Sequence, residues 1–191
     1  MSVARRHPHD LDAVLNTLGA SPLTSGRFRT IAMHATSTTA FLLSFLIGVV
    51  SGLRAMMAPA AVSWAARLGW LNVASTGLAF LSYVFTPWVL TLLALGELVT
   101  DQLPTTPSRT VPIQFGTRIL TGGFSGAAIG AATGVLVIGV VGGILGAVIG
   151  TLGGRTFRAR LAAAFGSDRP AAFIEDAVAI GGAVLIMVAL P

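Results

Sequence analysis

Six apolar stretches, at residues 39–53, 55–70, 80–100, 119–136, 137–152 and 171–190, take up most of the chain beyond its N-terminal segment. A helix needs about 20 apolar residues to cross a hydrocarbon core of ~30 Å, where every backbone N–H and C=O must be bonded inside the structure. Runs of this length and spacing commit the chain to an all-α, polytopic membrane fold. Water is a poor alternative solvent: 10% of the residues are charged and 54% hydrophobic, whereas a soluble domain carries about 25% charged residues.

The stretches 80–100 and 171–190 each fit one crossing. The first two are too short alone, and joined they would make a helix of about 48 Å. Ser51-Gly52-Leu53-Arg54 sets a flexible residue beside a charge, and Pro59 lacks the N–H that would bond to Ala55, so a break is expected within residues 52–59. The region reads as one broken crossing or as a two-limbed hairpin. Arginine placement favours the first, because cytoplasmic connections are enriched in Arg and Lys. A single crossing puts Arg5, Arg6, Arg27, Arg29, Arg109, Arg118, Arg155, Arg158, Arg160 and Arg169 on the cytoplasmic side and only Arg67 outside. The expectation is about five transmembrane helices in a bacterial inner membrane, with a cytoplasmic N-terminus and an outer C-terminus; a re-entrant break would make six.

Residues 1–37 read as a retained cytoplasmic tail and 38–191 as the transmembrane domain. The tail is too long and polar for the charged start of a signal peptide. Leu11, Val14, Leu15 and Leu18, behind Asp10 and Asp12, have the spacing of a short amphipathic surface helix; an irregular tail is the equal alternative.

Gly122, Gly126, Gly130 and Gly134 recur every four residues, as do Gly142, Gly146, Gly150 and Gly154. Each set leaves one helix face without side chains, which lets two backbones approach closely. The two ladders are expected to pack as an antiparallel hairpin turning around residues 136–139. Close structural packing or dimerisation is the plainer use of such a face; lining a pore is the functional one.

Charges inside apolar segments cost about 2.5 kcal/mol or more at the bilayer centre and so are candidates for function. Five qualify as a substrate or ion site: Arg54, at the expected break, and the carboxylates Glu97, Asp101, Glu175 and Asp176. Glu97 and Asp101 share a helix face. Asp101 and Asp176 also read as interfacial caps or partners of loop arginines, and Glu97 and Glu175 as ion-pair partners of Arg54. The order Gly52-Leu53-Arg54, then Glu97 to Asp101, is echoed weakly by Gly153-Gly154-Arg155, then Glu175-Asp176, the relation an inverted repeat would give.

Other chemistries find no support. Cys is absent, His7, His9 and His34 all precede the apolar stretches, and no nucleophile elbow, phosphate loop or zinc motif occurs. No enzyme activity, metal or cofactor is expected, and the scattered arginines form no stripe for nucleic acid.

Ser51-Gly52-Leu53-Arg54 with Pro59 and Trp64, Gly96-Glu97-Leu98-Val99-Thr100-Asp101-Gln102-Leu103-Pro104, Pro107-Ser108-Arg109-Thr110 and Glu175-Asp176-Ala177-Val178-Ala179-Ile180 together resemble a bacterial membrane family catalogued as domain of unknown function 4126. The resemblance covers residues 41–190, with Gln102 where the family has Lys. It implies a membrane protein and no particular activity. The leading expectation is a small transporter or channel-like protein. The alternative is a structural or accessory subunit, packing through its glycine faces as a homo-oligomer or within a larger membrane complex.

Overall fold

The structure, a computed structural model, describes residues 22–101 and 111–190, with side chains from residue 33. The expected amphipathic helix around Leu11 to Leu18 and most of the Pro-rich connection after Asp101 lie outside the described residues. The chain forms two units, Met1–Thr38 and Thr39–Pro191. Helix α1 (Pro22–Leu53) starts within the segment read as a tail. After it come α2 (Met57–Arg67), a 3-10 turn (Ala79–Ser82), α3 (Thr86–Thr100), α4 (Pro112–Ala132), α5 (Leu136–Phe165) and α6 (Asp168–Val188), with no strand among the described residues.

Among the described residues, three segments are long and apolar enough to cross a membrane: Met33–Leu53 of α1, all of α5 and all of α6. The expected five are not reached. Helix α4 has 21 residues, but its Gln, Arg, Thr, Ser and Gly residues dilute its hydropathy. Helix α3 is apolar yet has 15 residues, about 22 Å. Pro87 cuts it short, because a helix running through from residue 80 would press the proline ring against the Tyr83 carbonyl and lose a hydrogen bond.

Within the second unit, helix direction follows from which residues meet. Ser44 Oγ donates to the Gly126 carbonyl (3.3 Å) and Ser51 Oγ to the Arg118 carbonyl (3.0 Å), so α1 and α4 are antiparallel. Gly142, Gly146 and Gly150 lie against the backbone of Phe41, Phe45 and Val49, so α1 and α5 run parallel. Helix α6 descends from Asp176, bonded to Arg54, to Gly182 beside Val50.

The break falls where Pro59 places it, between Leu53 and Met57, but α2 does not continue the crossing. Ala55 and Met56 meet Glu97 near the end of α3, whereas Trp64 donates its indole N–H to Thr91 (3.0 Å) and packs edge-on to Trp88. Phe80, just before α3, packs on Phe124 in the middle of α4. Val62 and Ala65 share one core with Leu43, Ile47, Ile129 and Ile186. Residues 39–67 thus form the two-limbed hairpin, correcting the single broken crossing. The arginine count misled because it favoured a single crossing that the packing of α2 does not make; Arg118, taken there for a loop residue, is also 1% exposed. With α2 returning, the loop arginines lie at the opposite end from residue 39, and the count no longer favours a cytoplasmic N-terminus. The echoing segments that end in Arg54 and Arg155 belong to parallel helices, whereas the acidic helices α3 and α6 run in opposite directions, so only the acidic half of the echo has the inverted relation.

Glycine contacts also depart from expectation. The Gly122, Gly126 and Gly130 face packs on Gly139 and Gly143, while Gly142, Gly146 and Gly150 face α1 instead. Helix α5 therefore carries two glycine faces, offset by one residue, and lies between α1 and α4. Gly48 and Gly52 of α1 complete the seam against Gly143 and Ala147. Gly154 is buried on α5. Gly134 has no neighbour for a Cβ to meet; with φ +79° it takes the left-handed position that ends α4. The Val135 N–H bonds to the Gly130 carbonyl (2.7 Å) and the Gly134 N–H to that of Ala131 (3.3 Å), so the hairpin turns at residues 133–135, one step before the expected 136–139.

Candidate functional site at the helix break

A helix that stops inside an apolar structure leaves carbonyls unbonded at its C-terminus and N–H groups unbonded at the next N-terminus. Both ends occur within three residues here, and side chains from other helices meet them. Arg118 of α4 reaches along the glycine face and donates Nη1–H to the carbonyls of Gly52 (3.0 Å) and Leu53 (2.6 Å). Glu97 of α3 accepts the Ala55 N–H at Oε1 (2.7 Å) and the Met56 N–H at Oε2 (2.8 Å). Each charge has the sign that the helix dipole favours at that end: a cation at the C-terminus of α1 and an anion at the N-terminus of α2. The two also approach each other, with Arg118 Nη2 at 3.5 Å from Glu97 Oε1.

Arg54 lies in the gap with an exposure of 0%. It donates Nε–H to Asp176 of α6 (2.7 Å) and Nη1–H to Asp101, the residue that ends α3. Asp101 also lies 3.7 Å from Arg118 Nη2. One guanidinium thus ties α1 to α3 and α6, and a second ties α4 to α1 and α3. Burying one such charge without a partner would cost several kcal/mol; paired and hydrogen-bonded, the set can persist.

Glu175 stands apart from this node. Its carboxylate is fully buried and lies 3.4 Å from Arg158 Nη1, with Arg158 also bonded through Nε to the exposed Asp168 (2.9 Å). Of the five sequence candidates, Arg54, Asp101 and Asp176 therefore form one cluster, Glu97 joins it as the cap of α2, and Glu175 faces a neighbouring arginine. Glu97 does not pair with Arg54, nor does Glu175. Among the described residues no group of His, Cys, Asp or Glu has the arrangement to hold a metal ion.

Sequence reasoning missed Arg118, although a signal was present. It stands four residues before Gly122 and so continues the ladder of α4 on the same face. It also missed Arg158 with Asp168, and the hydroxyls joining the helices: Ser51 with Thr121 (2.7 Å), and Thr151, which donates across to Gly52 (3.3 Å) as well as to Ala147 in its own helix (2.8 Å). Such contacts let hydroxyls bond across helices where water is absent.

No family model, curated protein or solved structure matches the chain.

Proposed function

We propose that this chain is a small, non-enzymatic transporter or channel-like protein of a bacterial inner membrane, in which the break between α1 and α2 handles an ion or a small solute. One observation carries the reading: two helix termini of opposite dipole meet inside an apolar structure, with buried charges of both signs drawn from α1, α3, α4 and α6. Discontinuous helices with this arrangement form ion and substrate sites in transporters. The residues of the break also carry the resemblance to the bacterial family, so kinship with that family belongs to the same proposal.

The test is flux. Purified protein in sealed vesicles is assayed for movement of protons, alkali cations and small anionic solutes, alongside Asp176→Asn and Glu97→Gln proteins that insert and stay folded under the assay conditions. Flux in the parent, lost or altered in a variant, supports the reading. Vesicles as tight as protein-free ones to every probe, with folded protein present, remove it. The second reading, an accessory subunit, keeps one specific support: Gly153 and Gly181 have open space where a Cβ would lie, leaving small faces on α5 and α6 for a partner helix. A stable hetero-complex in native mass spectrometry after gentle extraction would favour it.

For orientation, we place the corner between α5 and α6 in the cytoplasm, on the strength of the short, arginine-dense connection of Arg155, Arg158, Arg160 and Arg169 there, a choice that sets aside Arg67 and the four arginines preceding residue 39. Residue 39 then lies on the outer side. A reporter inserted at Ser167 is expected to read cytoplasmic and one after Leu190 to read periplasmic; the reverse pair of readings overturns the orientation.

A further inference from the structure

Helix α5 has 30 residues, about 45 Å, some 15 Å more than a ~30 Å hydrocarbon core. Its first residue follows the turn from α4, and Thr151 reaches Gly52 beside the break, so residues 155–165 extend beyond that level. The helix stops at Gly166, whose φ of 65° provides the left-handed cap, and α6 begins at once with Asp168.

Charge at this corner is unevenly spent. Arg158 takes both nearby carboxylates, bonding Asp168 through Nε and Nη2 and approaching Glu175. Arg155, Arg160 and Arg169 are exposed, and no ion pair engages them among the described residues. Beside them Phe157 and Phe165 are 42% and 53% exposed. Cationic heads with exposed rings at the point where a long helix leaves the hydrocarbon match the headgroup region: guanidinium forks bind phosphate in a bidentate manner, and the rings rest at the acyl boundary.

We propose that the α5–α6 corner is a binding site for anionic phospholipid, with Arg155, Arg160 and Arg169 holding headgroup phosphates and Phe157 and Phe165 seated against the acyl chains. The proposal needs the membrane setting but not transport, so it stands or falls separately from the flux assay. The full chain, purified in neutral detergent, is given equal amounts of phosphatidylglycerol and phosphatidylcholine, and bound lipid is counted by native mass spectrometry. The parent should retain phosphatidylglycerol preferentially. A variant combining Arg155→Gln, Arg160→Gln and Arg169→Gln should lose that preference by about tenfold or more, since each basic residue near an anionic surface counts separately. The matching Arg→Lys triple variant should keep most of it, as should Arg67→Gln at the opposite end. Three results would overturn the site: equal retention of the two lipids by the parent, a Gln triple variant that binds like the parent, or displacement by glycerol phosphate at equal concentration, which would mean a site for free phosphate.

Discussion

The glycine seam and the charged break both bring helices of this chain together, and they do so by opposite means. Along the seam, side chains are removed until backbones touch: a Cβ added at Gly122 would lie 2.8 Å from the Gly143 carbonyl oxygen and 2.7 Å from the Ala147 Cβ. At the break, long side chains from distant helices reach in to satisfy backbone groups that the interrupted helix leaves open. The seam should therefore be intolerant of volume and indifferent to charge, and the break the reverse.

Four measurements sharpen or break that contrast. The largest effect is expected for Gly143→Leu, whose side chain would run into the Gly122 backbone. Rigid backbone cannot yield as a side-chain tip can, so little folded protein should be recovered after detergent extraction. A variant that melts like the parent would mean the seam opens freely. Next comes Arg54→Met, nearly isosteric but uncharged, which takes from Asp101 and Asp176 the guanidinium they share. Breaking a buried pair in this way costs about 3–5 kcal/mol. Adding Asp101→Asn and Asp176→Asn to the Met variant should recover part of the lost melting temperature; no recovery would show that Arg54 acts through packing rather than charge.

A smaller loss, about 1–3 kcal/mol, is expected for Glu97→Gln, which gives up one acceptor oxygen for the N–H groups of Ala55 and Met56 and the charge that faces Arg118. Hydrogen exchange should quicken at those two amides and stay unchanged at Gly52 and Thr151; uniform quickening would argue against a local cap. The smallest change belongs to Gly181→Ala, where a Cβ meets nothing within 4 Å. Relief of glycine's helix penalty, up to about 1 kcal/mol, should leave stability equal or slightly higher. A marked loss in detergent would break the contrast from the other side, by revealing an interface at that face.

Legibility follows the same divide. Glycine spacing along one helix is a local property, so the close-packed hairpin of α4 and α5 could be read from the order of residues. The choice of partner could not, because Gly142 and Gly143 differ by one position and about 100° on the helix; only the third helix, α1, determines which of them faces whom. Pro59 announced the break and Pro87 could have announced the shortening of α3, each through the missing N–H that proline imposes.

Apolar length and the scarcity of charge determined by themselves that the chain is helical and suited to a membrane, since a backbone in hydrocarbon has few ways to bond its polar groups. The positions of the five charged candidates were equally plain in the sequence. Only the tertiary structure decided that α2 turns back rather than onward, and that Arg118 and Glu97 cap the ends of the break while Arg54 bridges Asp101 and Asp176. Those partners lie between 41 and 122 residues apart. Over such separations no periodicity links one residue to another, and pairing is settled by which helix ends the packed glycine faces bring to the same depth.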